Sequence, residues 1–122
     1  MTSLLDLSPR AFAPPEAPTH AHFQWEELAH LWDGNDLAAA HDWLNERWSR
    51  LIRNSIAGQA DPEAQFLQGL AFAVLALYFT QHANQEGAVM MIDDALIALN
   101  RYRPGFLGVQ VDPIVATLEE LR

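Results

Sequence analysis

Leu37, His41, Leu44, Trp48 and Leu51 follow one another in alternating steps of four and three. That spacing keeps all five on one side of a 3.6-residue helix. Asp36 stands in the N-cap position, and the spacing predicts a helix from there to about Asn54. An earlier helix is predicted from Thr19 as N-cap, with Phe23, Leu28, Ala29, Leu31 and Trp32 apolar and Gly34 as its terminator. SIAGQADP reads as a loop that closes on a start signal, Asp61 capping and Pro62 at the first helical position.

The helix that starts at Pro62 loses its periodicity, because every residue from Leu70 to Phe79 is apolar. A helix apolar all round belongs in the centre of a bundle or of an oligomer, and a run of this length is too short to span a membrane. Gly69, Ala73 and Ala76 fall in line and predict a flat strip where another helix approaches closely. After QHANQ a fourth helix places Ala88, Met91, Ile92, Ala95, Leu96 and Leu99 at helical spacing and stops before Pro104 and Gly105. Asp112 and Pro113 repeat the start signal for a short terminal helix, PIVATLEELR.

No stretch alternates as a strand would. The predicted class is therefore all-α: a single-domain antiparallel helical bundle over residues 19–122, with four main helices and a short C-terminal helix. The stretch ALYFTQHANQEGAVMMIDDAL has the shape of one tetratricopeptide-like helical hairpin, without the further units a solenoid needs. Residues 1–18 hold Pro9, Pro14, Pro15 and Pro18 and predict an extended arm. Its Leu4, Leu5, Leu7 and Phe12 leave two readings open, an arm laid along the bundle or a neighbouring chain, and a frayed end.

Composition narrows the function. A chain of 122 residues, half of them apolar, closes one core. The formal net charge of -9, with all seven basic residues Arg, repels a phosphate backbone and excludes nucleic acid as a partner. Without cysteine there is no disulfide framework, thiolate metal site or cysteine nucleophile. The N-terminus lacks the basic start and apolar run of an export signal, which predicts a cytoplasmic protein.

Candidate chemistry centres on HDWLNERW. His41, Asn45 and Trp48 share a helix face, the geometry by which a helix presents ligands. An amide is a poor partner for a transition metal, and Asp42 and Glu46 point away from His41. The expectation is a buried His41 hydrogen-bonded to a neighbouring helix, so that His41→Ala costs about 1–3 kcal/mol. His20, His22 and His30 read as surface histidines, and at most one of Asp93 and Asp94 faces inward. Gln68 is read as a buried amide bonding to the second helix, and the Tyr78 hydroxyl as another group in need of a partner. Phosphate loops, nucleophile elbows and H-E-x-x-H are absent.

GNDLAAAHDWLNERW, FLQGLAFAVLALY, EGAVMMIDDALIAL and GVQVD together resemble the domain of unknown function family 309, small helical proteins of bacteria and archaea, over roughly residues 23 to 115. The family's signature is a His, three residues, Glu, two residues, then Trp or Tyr, followed later by Q-G-L-x-Q and a Tyr-His pair. His41, Trp48, Gln68, Gly69, Leu70 and Tyr78 match it. Asn45, Phe72 and Phe79 replace its Glu, second Gln and His. The resemblance implies a helical bundle whose suggested metal site has lost polar groups, and it carries no established activity.

Two functions follow. One is a noncatalytic module that binds a protein partner or itself, most simply as a homodimer, resting on the apolar third helix and on Trp25, Trp32 and Trp43, too many for one small core. The other is a metal-dependent, hydrolase-like enzyme using His41 with Gln68 and Tyr78. The ligand count favours a chain without cofactor or stoichiometric metal.

Overall fold

The computed structural model describes residues 25–122. Its elements are α1 (Glu26–Asp33), α2 (Leu37–Asn54), a 3-10 turn (Gly58–Ala60), α3 (Pro62–Gln81), α4 (Gln85–Asn100), a two-stranded hairpin of β1 (Gly105–Phe106) and β2 (Val109–Gln110), and α5 (Val111–Leu121). The class is all-α. The proposed arm, the boundary at residue 19, Thr19, His20, His22 and Phe23 lie outside the described residues.

Short polar side chains start the central helices. Asp36 accepts from the Ala39 N–H at 3.3 Å, and Asn84 from the Gly87 N–H at 3.0 Å. Asp61 accepts from the Glu63 N–H at 2.8 Å, while the Ser55 hydroxyl donates to its other oxygen at 2.8 Å. Each satisfies a donor that the first turn leaves without a helical partner. α1 runs from Glu26, with Trp25 before it and no side-chain cap. The C-terminal end differs from expectation. α5 begins at Val111, ahead of Asp112–Pro113, with no side-chain cap, and the Asp112 carboxylate inside its first turn takes the Arg103 Nε–H at 2.6 Å.

α3 lies between α2 and α4 and packs on both. The predicted strip is real: Gly69, Ala73 and Ala76 are buried. A Cβ on Gly69 would sit 2.9 Å from Leu99 Cδ2 and 3.1 Å from Ala98 Cβ, so the missing side chain sets how closely α4 approaches. By length and hydropathy α3 is long and apolar enough to cross a membrane, but half of that stretch is buried against the other helices.

Burial on α3 is one-sided. Phe66, Leu70, Ala73 and Leu77 face the closed core. There Phe66 meets Tyr102 and Phe106 edge-on, with ring centroids 5.3 and 5.1 Å away, and Trp25 at 6.2 Å. Ala71, Phe72, Leu75 and Phe79, from the run read as fully enclosed, are only half-buried, and Gln68 in their line is exposed. An all-apolar sequence could not show which flank stays open.

The hairpin carries no strand pattern because it pairs just two residues a side, Gly105 with Gln110 and Phe106 with Val109. Its two-residue loop, Leu107–Gly108, has φ of +52° and +85°, the left-handed pair that matches strand twist. Leucine there is sterically disfavoured. Leu107 compensates by packing on the core, and its carbonyl accepts the Trp25 indole N–H at 2.8 Å.

Candidate functional site

The α2 stripe turns a little away from α3 as well as toward it. Leu37, Ala40 and Leu44 are fully buried, which leaves His41, Asn45 and Trp48 on the edge of that seam. Opposite them α3 presents Gln68, Phe72 and Leu75. These side chains enclose a shallow hollow of about 150 Å³. A second hollow of about 340 Å³ lies on the far side of Gln68 and Phe72, walled by Gln65 of α3 and by Asp94, Ile97 and Arg101 at α4. Gln68 and Phe72 line both, so the two form one concave face with α3 as its floor.

Four of the five candidate residues thus come together: His41, Asn45, Trp48 and Gln68 line one hollow. Tyr78 does not join them. It is ten residues beyond Gln68, about 15 Å along the helix axis, and its ring stacks on His82 at 4.1 Å. His82 Nδ1 in turn lies 2.8 Å from the Tyr78 carbonyl, closing the end of α3.

Three expectations are corrected here. The His41 side chain is 34% exposed, and its nearest charged group is its own neighbour Asp42, 3.9 Å away. Among the described residues it makes no hydrogen bond to another helix, because the buried seam runs through Ala40 and Leu44 and leaves the imidazole on the rim. Gln68 is exposed rather than buried, since one residue before Gly69 on a helix means about 100° away from the α4 contact. Trp25 and Trp32 are buried at 3% exposure and Trp43 is half-buried, so the tryptophans do not form a surface patch. Trp43 rests between Trp25, 6.0 Å away, and the Arg47 guanidinium, 5.6 Å from its ring centre. Partial burial lowers the Arg47 pKa from its ordinary value, Glu63 opposes that shift and Arg50 adds to it.

Compared with protein-family models, curated proteins and solved structures, the chain has no match. What the face can do therefore rests on its own chemistry. Among the described residues no three His, Asp or Glu side chains converge as metal ligands would. Asp93 and Asp94 split as helix geometry requires. Asp93 turns partly inward, 2.7 Å from Arg122 Nη1, a contact close enough for an ion pair yet not aligned as a hydrogen bond. Asp94 stays exposed on the wall of the larger hollow.

Sequence reasoning missed Ile97 and Met90, which are 70% and 62% exposed on α4. Their spacing of seven, with Asp94 between and Arg101 beyond, was the available signal: one line of a helix carrying two apolar and two charged residues.

Proposed function

We propose that the protein is a noncatalytic cytoplasmic module that associates with a second copy of itself through the face formed by α2, α3 and α4. One observation carries the reading: the floor of that face, Ala71, Phe72 and Leu75 on the most apolar of the described helices, is half-exposed, with Ile97 exposed beside it. Contiguous apolar surface of this kind is the usual mark of an interaction site. Three helices about 8–10 Å apart and α4 about 24 Å long give a face of roughly 600 Å² in projection, near the ~800 Å² each partner contributes to a standard interface. Imidazole, amide and indole around a shallow apolar hollow suit contact with another side-chain surface better than activation of a substrate. The likeness to the domain of unknown function family 309 enters this proposal only as a likeness of motif residues, and it brings no activity.

Sedimentation equilibrium at micromolar concentration tests it. The expected mass is about twice 13.7 kDa, falling to 13.7 kDa for Phe72→Glu, which sets a carboxylate at the centre of the face. A mass of 13.7 kDa for the parent chain at every concentration would refute self-association and leave the face to residues 1–24 or to a different protein.

A further inference from the structure

We propose that the second copy docks antiparallel, about a two-fold axis crossing the face beside Gln68 and Ile97, with Asp94 of each chain set against Arg101 of the other. The proposal rests on the self-association above and adds its register. Asp94 and Arg101 are seven residues apart, two turns of helix, and both are exposed on the wall of the larger hollow with Ile97 between them. Arg101 follows the last residue of α4 and keeps helical backbone angles, so the line continues through it.

A two-fold contact is isologous: if residue i meets residue j, then j meets i. Two layers stacked face to face admit an in-plane axis either along the helices or across them. An axis along the helices lays α4 over the other copy's α2. The part of α2 that lines the face offers His41, Asn45 and Trp48, without a carboxylate or a guanidinium to meet Asp94 and Arg101. An axis across the helices lays α4 antiparallel on its own copy. Residues equally far from the axis then exchange partners, and an axis midway between Asp94 and Arg101 makes two opposite-charge pairs at once.

The same axis fixes what meets at the centre. Gly69 lies against Ala98 and Leu99, and Gln65 accepts from Arg101 Nη1 at 2.9 Å, so the midpoint of Asp94 and Arg101 on α4 falls level with about Gly69 on α3, one residue from Gln68. Gln68 then faces its own copy. A primary amide carries both donors and an acceptor, so two of them related by a two-fold axis satisfy each other. The two Ile97 side chains, 70% exposed in the single chain, cover one another. Arg101 retains donors beyond the one given to Gln65 and can add a pair with a carboxylate.

Charge exchange tests the register. Asp94→Arg alone and Arg101→Asp alone each set like charges face to face in both pairs, and each is expected to raise the dimer Kd at least tenfold. The double exchange Asp94→Arg/Arg101→Asp restores opposite pairs and the parent Kd. Most telling is an equimolar mixture of the two single variants, which is expected to associate as a heterodimer where neither associates alone. Light scattering with size exclusion reads all four, with circular dichroism to establish that each variant is folded. A dimer indifferent to both single exchanges, or a mixture that stays monomeric, overturns the register while leaving self-association standing. A parent chain that is monomeric throughout overturns both.

Discussion

Phe66→Ala removes a ring that is fully buried at the meeting point of α3, the hairpin and the start of α1. Truncating a buried Phe to Ala costs about 3–5 kcal/mol in lost transfer energy and cavity. The edge-on contacts with Tyr102, Phe106 and Trp25 add about 0.5–1.5 kcal/mol each where their geometry is good, and the 5.1 and 5.3 Å pairs are the nearest. With the two nearest pairs counted the sum is about 4–8 kcal/mol, comparable to the whole stability of a small domain at the low end of about 5–15 kcal/mol. Urea titration followed by far-UV circular dichroism measures it, with tryptophan fluorescence reporting the Trp25 neighbourhood in parallel. Phe72→Ala, at a concentration low enough to keep the chain monomeric, is the internal control. It is the same residue type on the same helix, yet half-exposed, and its expected cost is about 1 kcal/mol. Equal losses for the two, or a Phe66→Ala loss below about 2 kcal/mol, would refute the one-sided burial of α3.

Asp61→Ala is expected to cost about 1 kcal/mol through loss of the cap on α3, measured by the same titration. The Ser55 hydroxyl, helped by the Glu63 and Ala64 N–H groups and opposed by burial, holds the Asp61 carboxyl below the usual carboxylate range. Its contribution is therefore complete above the ordinary aspartate pKa and lost as pH falls through the depressed one, so Asp61→Asn is expected to flatten that part of the acid-stability profile. His41→Ala is expected to change stability by under about 1 kcal/mol, since the ring is partly exposed and leaves no partner behind. A loss above about 2 kcal/mol would restore the buried, hydrogen-bonded histidine that the sequence suggests.

The helices with a polar flank were legible. Asp36, Asp61 and the 3,4 spacing place α2 and the start of α3 at the residues where they occur. The orientation of α3 was not, because Phe72 and Phe79 within the apolar run look like Phe66 before it, while only Phe66 is enclosed. Periodicity reports contrast between flanks, and between its two ends this helix offers only Gln65 and, further in, Gln68. That residue was the clue. Read as the solvent edge of the helix instead of a buried amide, it opens Phe72 and Leu75 along with it. His41 shows the converse error: a stripe drawn through five residues has width, and its rim is not its centre. The small hairpin left no trace in the pattern, since two pairs of residues are too few to alternate, and the usual Asn-Gly loop is replaced by Leu107–Gly108.

The indole hydrogen bond from Trp25 to the Leu107 carbonyl joins positions 82 residues apart. Most other packing here is between sequence neighbours, α2 with α3 and α3 with α4, which form through short turns. Closing an 82-residue loop costs about 4 kcal/mol of chain entropy beyond the constant term, and only the order already present in α2–α4 reduces that cost. The clasp is therefore expected to close only after α2–α4 have packed. Trp25 ties the start of α1 to the hairpin, and both rest on Phe66, so the amides of α1 and of the hairpin are expected to exchange together, and separate exchange of the two would refute this.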